Sequence, residues 1–598
     1  MKKITLFLIA LTCSFTAMAA AMHGTYKVGT NGTEDFASLS AAVTALNTNG
    51  VDGNVILEIT SDITEAANIG LGVNTGSYSI TIRPDVVSDP NTDPVRTITF
   101  TQLADNTSPT GHFVIGYISS GLASSWSDAN TIATNNVTID GFAFGGNVKR
   151  LTFTNTAALH VNARVISVVG GCQNISIRNM TIENKSTHSG SPVCITVLPR
   201  KGTAIDLAPS NVIIENNVLN ATGSVGMGVR LTFSAASGTP TSKIAGFILR
   251  NNIITAQRRL LEFNYNDGAQ IYGNTFNLAQ TVAPGALIYG VYGNTGIIGV
   301  INIYNNRFNQ ATITESATSG TYGIRLIALA SGPTAWNIYN NTFAGMNRTQ
   351  TAGAATLNLS YIQVSFGTAN IYNNTFYMPA LTSPSALGYY NAINNSNAQN
   401  AQKIKNNIFI SNEPTASCAF VSNVCVSPGE SENNLYYNRQ TSNTNAKYIA
   451  TYATLDAYKS ANTTLDINSK SVDVNFVDAA TGDLRLTGAS IQDQNLAVTR
   501  LEAVQTDMFG TDRYMTTYAG AHEATHFITT ETENPTESAR IMTTATGVEV
   551  ILSSEATIEL YTINGILLDK VKTSSYSRDL NNGVYIIRIN GKATKFIK

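Results

Sequence analysis

Charge is what this 598-residue chain has least of. Only 13% of its residues are charged and the net charge is −2, against about 25% charged in an average soluble domain. Disorder requires low hydrophobicity together with high net charge, so an apolar content of 43% at near-neutral balance excludes it. A nucleic-acid binder requires an excess of base, and here 37 Lys and Arg face 39 Asp and Glu. Cysteine is equally scarce. Besides Cys13 there are Cys172, Cys194, Cys418 and Cys425, too few for a disulfide framework and without a Cys-x-x-Cys pair to hold zinc. Cys418 and Cys425, seven residues apart, either bridge a local loop in an oxidising compartment or stand as two small buried thiols. No apolar run approaches the ~18 residues a transmembrane segment needs. Asn, Thr, Ser and 46 Gly take the place of charge, and these are poor helix formers. The chain is also too long for one compact globule. A long, weakly charged β protein is what remains.

The two ends differ from the middle. Residues 1–19 read as a secretory signal peptide: Lys2 and Lys3, an apolar run from Ile4 to Ala10, then Ala17-Met18-Ala19 as a cleavage site. Residues 525–540, rich in Thr and Glu, read as a linker. Residues 541–598 carry short alternating strands at Val548–Leu552, Ala556–Tyr561 and Gly583–Ile589, with a turn at Asn564-Gly565, which predicts a small antiparallel sandwich.

In between, residues 20–524 repeat one phrase, as in "NVIIENNVLN" (211–220), "INIYNNRFN" (301–309), "WNIYNNTFA" (336–344) and "ANIYNNTFY" (369–377). The anchoring Asn falls at Asn179, Asn217, Asn252, Asn274, Asn306, Asn341, Asn374, Asn407 and Asn434, in steps of 22 to 38 residues. Gly141 takes the slot one copy upstream. Self-similarity at such a period signals a solenoid. Each phrase is a short alternating strand, an Asn corner of one or two residues, and a second strand. Asn tolerates left-handed backbone, and stacked at the ~4.8 Å spacing of strands its amides can form a ladder. The variable steps place loops of different size at fixed corners.

Two resemblances follow from these residues. The repeat is similar to the right-handed parallel β-helix of pectate lyases and related polysaccharide-active proteins. The opening stretch Gly24–Ile59, with an amphipathic helix predicted over Phe36–Leu46, resembles the cap of such proteins, and Asn475–Ser490 with Asp507–Glu523 resembles their closing phrase. The last 55 residues, with "IELYTINGILL" and "LNNGVYIIRINGKATKFIK", resemble the type A C-terminal sorting domain of Bacteroidetes type IX secretion. That resemblance implies export by the type IX machinery to the cell surface or medium. The fold expected is therefore all-β, a parallel β-helix followed by a small immunoglobulin-like β-sandwich.

The chemistry of β-helix enzymes is missing from the sequence. The related pectin hydrolases carry Asp-Asp, Gly-His-Gly and Arg-Ile-Lys, and none of these occurs. A calcium-dependent lyase needs several acidic oxygens together, yet residues 141–440 contain nine Asp and Glu, Glu262 among them, with no common phase in the repeat. His160 and His188 fall in different parts of successive copies, and His522 and His526 read as surface residues near the repeat's end.

The same span holds eighteen Lys and Arg, a net +9, leaving −11 on the rest of the chain. Arg230 and Arg325 recur in similar phrases, "GVRLTF" and "GIRLIAL", and Arg258 and Arg259 precede the comparable "LLEFNY". Facing outward together, they would form a basic stripe flanked by Tyr265, Tyr289, Tyr292 and Tyr361. Arg grips carboxylate or sulfate in pairs of bonds and aromatic rings stack on sugars. The partner this suggests is an acidic polysaccharide or a host or matrix glycan, bound by a secreted, non-catalytic, adhesin-like shaft without cofactor. The alternative is a polysaccharide lyase acting on uronic acids with Arg or Lys as base, to which calcium would belong.

Overall fold

The repeat becomes a coil in the computed structural model. The model describes residues 20–598 apart from 102–110, 118–127, 157–162, 188–191, 222, 224, 236–237, 282–287, 316–320, 331–334, 351–355, 382–386, 396–401, 414–417, 424–428, 441–446, 450, 526, 528–538, 545 and 591. Residues 1–19, expected to be a signal peptide, with Cys13, and Cys425, His160, His188 and His526 lie outside the described residues, and Cys172, Cys194 and Cys418 are buried free thiols.

Three parallel sheets form the first unit, residues 1–526. Sheet A has 13 strands from Met22–Val28 to Glu430–Glu432, sheet B 13 from Ile63–Glu65 to Leu435–Asn438, and sheet C 12 from Ile69–Leu71 to Lys447–Ile449. Each coil visits A, then B, then C, and every strand pairs with its counterpart one coil away. This is a right-handed parallel β-helix. Alternation drives it. In Gln173–Arg178 the side chains of Ile175 and Ile177 point inward while those of Ser176 and Arg178 do not. Stacked over many coils, such residues make one continuous core. Phe276, Phe308, Phe343, Phe376, Phe409 and Tyr436 pile up in it with centroids 4.7–4.9 Å apart.

The first end of the core is closed by helix α1 (Leu39–Asn49), which buries Leu39, Ala42, Val43 and Leu46. It starts three residues later than its amphipathic pattern predicts, because Ser38 caps it by accepting the Ala41 N–H at 3.1 Å. Helix α2 (Leu455–Ala461) places Leu455 and Tyr458 against the last coils.

The corner between sheets A and B divides its work between two neighbouring residues. Asn216, Asn251, Asn305, Asn340, Asn373, Asn406 and Asn433 turn the chain with φ of 49–58°, and Gly273 takes the same column at φ 67°. The next residue carries the ladder. Asn217, Asn252, Asn274, Asn306, Asn341, Asn374 and Asn407 each donate from Nδ2 to Oδ1 of the following one at 3.0–3.1 Å, ending on Asn434. Asn179 does not belong there: it has φ 59° and accepts from Asn216, so it is a turning residue. Met180 occupies the ladder position of that coil, its N–H bonded to Asn217 Oδ1 at 3.1 Å. One residue type filling two adjacent columns accounts for the misplacement.

The closing phrase returns along this corner. Asn340 and Asn406 donate to Thr506 O and Thr499 O at 2.7 and 2.8 Å. Arg513, fully enclosed, donates to Asn340 Oδ1, Gly520 O, Tyr518 O and Glu523 Oε2 at 2.7–3.2 Å.

The second unit, residues 527–598, is antiparallel. Strand Gly547–Thr562 pairs with Ala539–Thr543 through its first half and Val584–Ile589 through its second, and with Leu567–Asp579 along both, around a core of Val548, Val550, Ile558, Leu560 and Ile587. Leu567–Asp579 escapes the sequence pattern because its Lys, Thr and Ser give no apolar alternation.

Candidate functional site

On sheet C two outward columns stand three residues apart. In each coil the two residues between them both enter the core, as Leu260 with Leu261, Leu326 with Ile327 and Tyr361 with Ile362 do. One column reads Arg164, Val193, Met227, Arg259, Tyr289, Arg325, Ser360, Asn391. The other reads Ser167, Thr196, Arg230, Glu262, Tyr292, Ala328, Gln363, Asn394. Arg258 precedes the first column on the Arg259 coil. All five residues picked from the sequence, Arg230, Arg258, Arg259, Arg325 and Tyr289, thus lie on four successive coils of one face, in two columns rather than one stripe.

Glu262 is the correction to the expected stripe. Its carboxylate is enclosed and lies 3.0 Å from Arg230 and 2.6 Å from Arg259. Burial pushes its pKa up, but the two guanidinium groups outweigh that and hold it below the ordinary glutamate value. No carboxylate pairs with Arg258 or Arg325 among the described residues. Burial lowers the pKa of Arg258, with the charge of Arg259 adding to the effect. Arg164, two coils beyond Arg230, is brought down to about 9 by burial and by the charge of Arg230. Arg230, Arg258, Arg259 and Arg325 thus have one carboxylate, that of Glu262, among them.

The aromatic part is a single pair. Tyr289 and Tyr292 stack with centroids 4.1 Å apart at 13°. Arg259 lies 5.6 and 5.1 Å from their ring centres, and Arg325 lies 5.8 Å from that of Tyr289. Burial raises the Tyr289 pKa. Tyr361 is a core residue and Tyr265 sits at a corner under Lys243, so neither flanks the site.

The face also keeps buried polar atoms without hydrogen-bond partners: Ser167 Oγ, Thr196 Oγ1, Ser360 Oγ, and the Nε atoms of Arg258, Arg259 and Arg325. Unsatisfied groups of this kind are uncommon in folded proteins.

Sheet A shows where the other charges went. One outward column runs Lys27, Glu58, Arg83, Asp140, Arg178, Glu215, Arg250, four tyrosines, Lys405, Glu432. Its signs alternate, with Glu58–Arg83, Asp140–Arg178, Glu215–Arg250 and Lys405–Glu432 contacts of 2.5–2.8 Å. Of the nine acids counted over residues 141–440 only Glu215 and Glu432 stand in this column; with Glu58 and Asp140 they neutralise its bases, while on sheet C Arg258 and Arg325 have no carboxylate among the described residues.

One pattern escaped the reading of the histidines. His522-Glu523-Ala524-Thr525-His526 spells His-Glu-x-x-His, which binds zinc only where a helix puts both His on one face. Residues 522–525 form no helix, and the Glu523 carboxylate is spent on Arg513, Thr517 and the Tyr518 N–H. His522 is half-buried rather than on the surface, its Nδ1 accepting the Leu486 N–H at 2.9 Å. No cluster of three or more His, Cys, Asp and Glu that could hold a metal occurs among the described residues. No helix among them is long and apolar enough to cross a membrane.

No protein-family model matches the chain, and no curated protein does. Among solved structures the chain is similar to that of XylC, described as a complex with xylose, at 10% identity and a TM-score of 0.38. That match covers 84% of this chain and 98% of the other. A likeness of this degree says nothing about the site, whose interpretation rests on its own residues.

Proposed function

We propose that this protein binds an acidic polysaccharide on the outer face of sheet C and acts as a non-catalytic extracellular shaft. The observation that carries the reading is that Arg258 and Arg325 have no carboxylate among the described residues, beside the Arg230–Glu262–Arg259 cluster and a stacked tyrosine pair. Arginine forks match carboxylate and sulfate oxygens, and tyrosine supplies an apolar plane for a sugar ring.

The test is a binding screen of the mature chain against pectate, alginate and glycosaminoglycans, repeated with Arg230, Arg258, Arg259 and Arg325 each changed to Ala. Tenfold or greater losses are expected for Arg258→Ala and Arg325→Ala, whose cations lack a carboxylate. Unchanged binding in all four variants removes the face from the account. The lyase alternative uses an Arg or Lys as the base on a uronic acid. A rise in ultraviolet absorbance from an unsaturated product, with or without added calcium, would establish it in place of simple binding.

Export belongs to the same proposal. The leader of residues 1–19 and the strand–turn motifs of residues 541–598 support passage through type IX secretion to the surface or medium. Fusion of residues 541–598 to a reporter in a type IX-competent host tests it, and retention of the reporter in the periplasm would count against it.

A further inference from the structure

The face has a period along the helix axis that the binding reading does not use. Coil by coil, its groups run Met227 with Arg230, then Arg258 and Arg259 with Glu262, then Tyr289 with Tyr292, then Arg325 with Ala328, then Ser360 with Gln363. Glu262 already occupies Arg230 and Arg259. The cations without a carboxylate are Arg258 and Arg325, and they lie two coils apart, about 9.6 Å along the axis at the strand spacing. The coil between them carries the tyrosine pair and no charge. Beside Arg325 the second column offers only the methyl of Ala328, so nothing on that coil competes for an incoming anion.

An extended chain of pyranose rings advances by a length comparable to one strand spacing per ring. Lying along the axis, such a chain puts successive rings over successive coils. One ring meets Arg258, the next the uncharged tyrosine coil, and the third Arg325. A carboxylate on the middle ring would find no free cation, and it would stand next to the coil of Glu262.

We infer that the site selects a copolymer in which an anionic sugar alternates with an uncharged one, bound along the helix axis with its anionic rings on Arg258 and Arg325. The inference rests on the acidic-polysaccharide reading and adds the spacing of the acid groups.

The experiment uses the full mature chain and length-matched oligosaccharides at one salt concentration, followed by titration calorimetry. Hyaluronan fragments, in which glucuronate alternates with a neutral amino sugar, are compared with polygalacturonate fragments, acidic on every ring. Hyaluronan is expected to bind at least tenfold more tightly. Arg325→Gln should weaken hyaluronan more than it weakens the homopolymer, bringing the two affinities together, and Arg325→Lys should keep most of the preference. Unfolding midpoints of both variants within 2 °C of the parent confirm that the fold is intact. If the homopolymer binds as well or better and both polymers weaken on Arg258→Ala, alternation is wrong and the acidic-polysaccharide reading stands. If neither polymer binds, that reading falls and the inference with it.

Discussion

The corner between sheets A and B and the outer face of sheet C are built from the same stacked coils, yet they treat polar atoms in opposite ways. In the ladder column of that corner each amide is used up, while the turning column beside it leaves the Oδ1 of Asn305, Asn373 and Asn406 unbonded. Asn306 accepts from the N–H and Nδ2 of Asn274 and donates to Ile271 O and Asn341 Oδ1, all at 2.9–3.0 Å. On sheet C, Ser167, Thr196 and Ser360 are fully buried with hydroxyls that bond to nothing, and Arg258, Arg259 and Arg325 leave Nε without a hydrogen bond. A buried polar atom without a partner costs about 1–3 kcal/mol. A fold that satisfies a whole column of amides at one place is able to satisfy hydroxyls at another. Since the turning column also tolerates unbonded amide oxygens, it is the arginines without a carboxylate, Arg258 and Arg325, that set the face apart. The corner is framework, and the face is where function is to be sought.

The contrast is broken most severely at the corner. Asn306→Leu removes the acceptor of the buried Asn274 N–H and the donor to Ile271 O, and should cost about 4 kcal/mol for two orphaned groups. A urea titration reads this as a lowered midpoint, and a loss under 1 kcal/mol would mean that the ladder is decoration. On the face, Glu262→Gln should cost less, about 2–3 kcal/mol, because it leaves two partly exposed guanidinium groups unpaired. It should also sharpen function: added polyanion should raise the melting temperature of the variant more than that of the parent. A depressed folded-state pKa makes the Glu262 contribution present above the ordinary glutamate value and lost as pH falls through the folded one. Equal melting shifts for parent and variant would detach Glu262 from the site.

How much of this was legible follows the same division. The coils were readable because alternation and the recurring Asn repeat in sequence what stacking repeats in space. The one-residue slip at Asn179 arose because the turning and ladder columns both use Asn, and only the backbone angle and the Met180 contact separate them. The return of residues 499–523 along the corner was hidden, since its anchors, Arg513 with Asn340 and Asn406 with Thr499 O, join residues 173 and 93 apart. The arginines were found by phrase similarity, but Glu262 was discounted by counting acids over the whole shaft. Total charge does not reveal that sheet A neutralises its own column while sheet C does not. Tyr361 was misplaced because on sheet C two successive residues, Tyr361 and Ile362, both turn inward, which alternation does not foresee.

The ladder's last contact gives a smaller effect of opposite sign to that of Glu262. Asn434 Nδ2 donates to Asp466 Oδ1 at 3.1 Å, where another Asn would have continued the column, and Asp466 Oδ2 has no partner. Burial raises the Asp466 pKa, outweighing bonds from Ser431, Ser469, Asn434 and Tyr436. A raised folded-state pKa means that the contribution is full below the ordinary aspartate value of about 3.9 and lost as pH rises through the folded one. Asp466→Asn should therefore gain about 1–2 kcal/mol at pH 8, by sparing a buried charge, and should flatten the dependence above pH 4. If stability of the parent rises with pH across that window more than in the variant, the sign assigned to Asp466 is wrong.

The smallest effect is expected next door to the largest. Asn305 directly precedes Asn306, has φ 56°, and leaves its own Oδ1 unbonded. Its task is the turn, and the chain already assigns that task to glycine in the same column, at Gly273. Asn305→Gly should thus change the urea midpoint by less than about 0.5 kcal/mol, since glycine takes the left-handed conformation freely. Asn305→Val should cost about 1–2 kcal/mol, because a β-branched side chain crowds its own carbonyl there. These two variants with Asn306→Leu measure, at adjacent positions, backbone conformation against side-chain bonding. If Asn305→Gly proved as damaging as Asn306→Leu, the two columns would share one function, and the separation of turning from bonding would have to be abandoned.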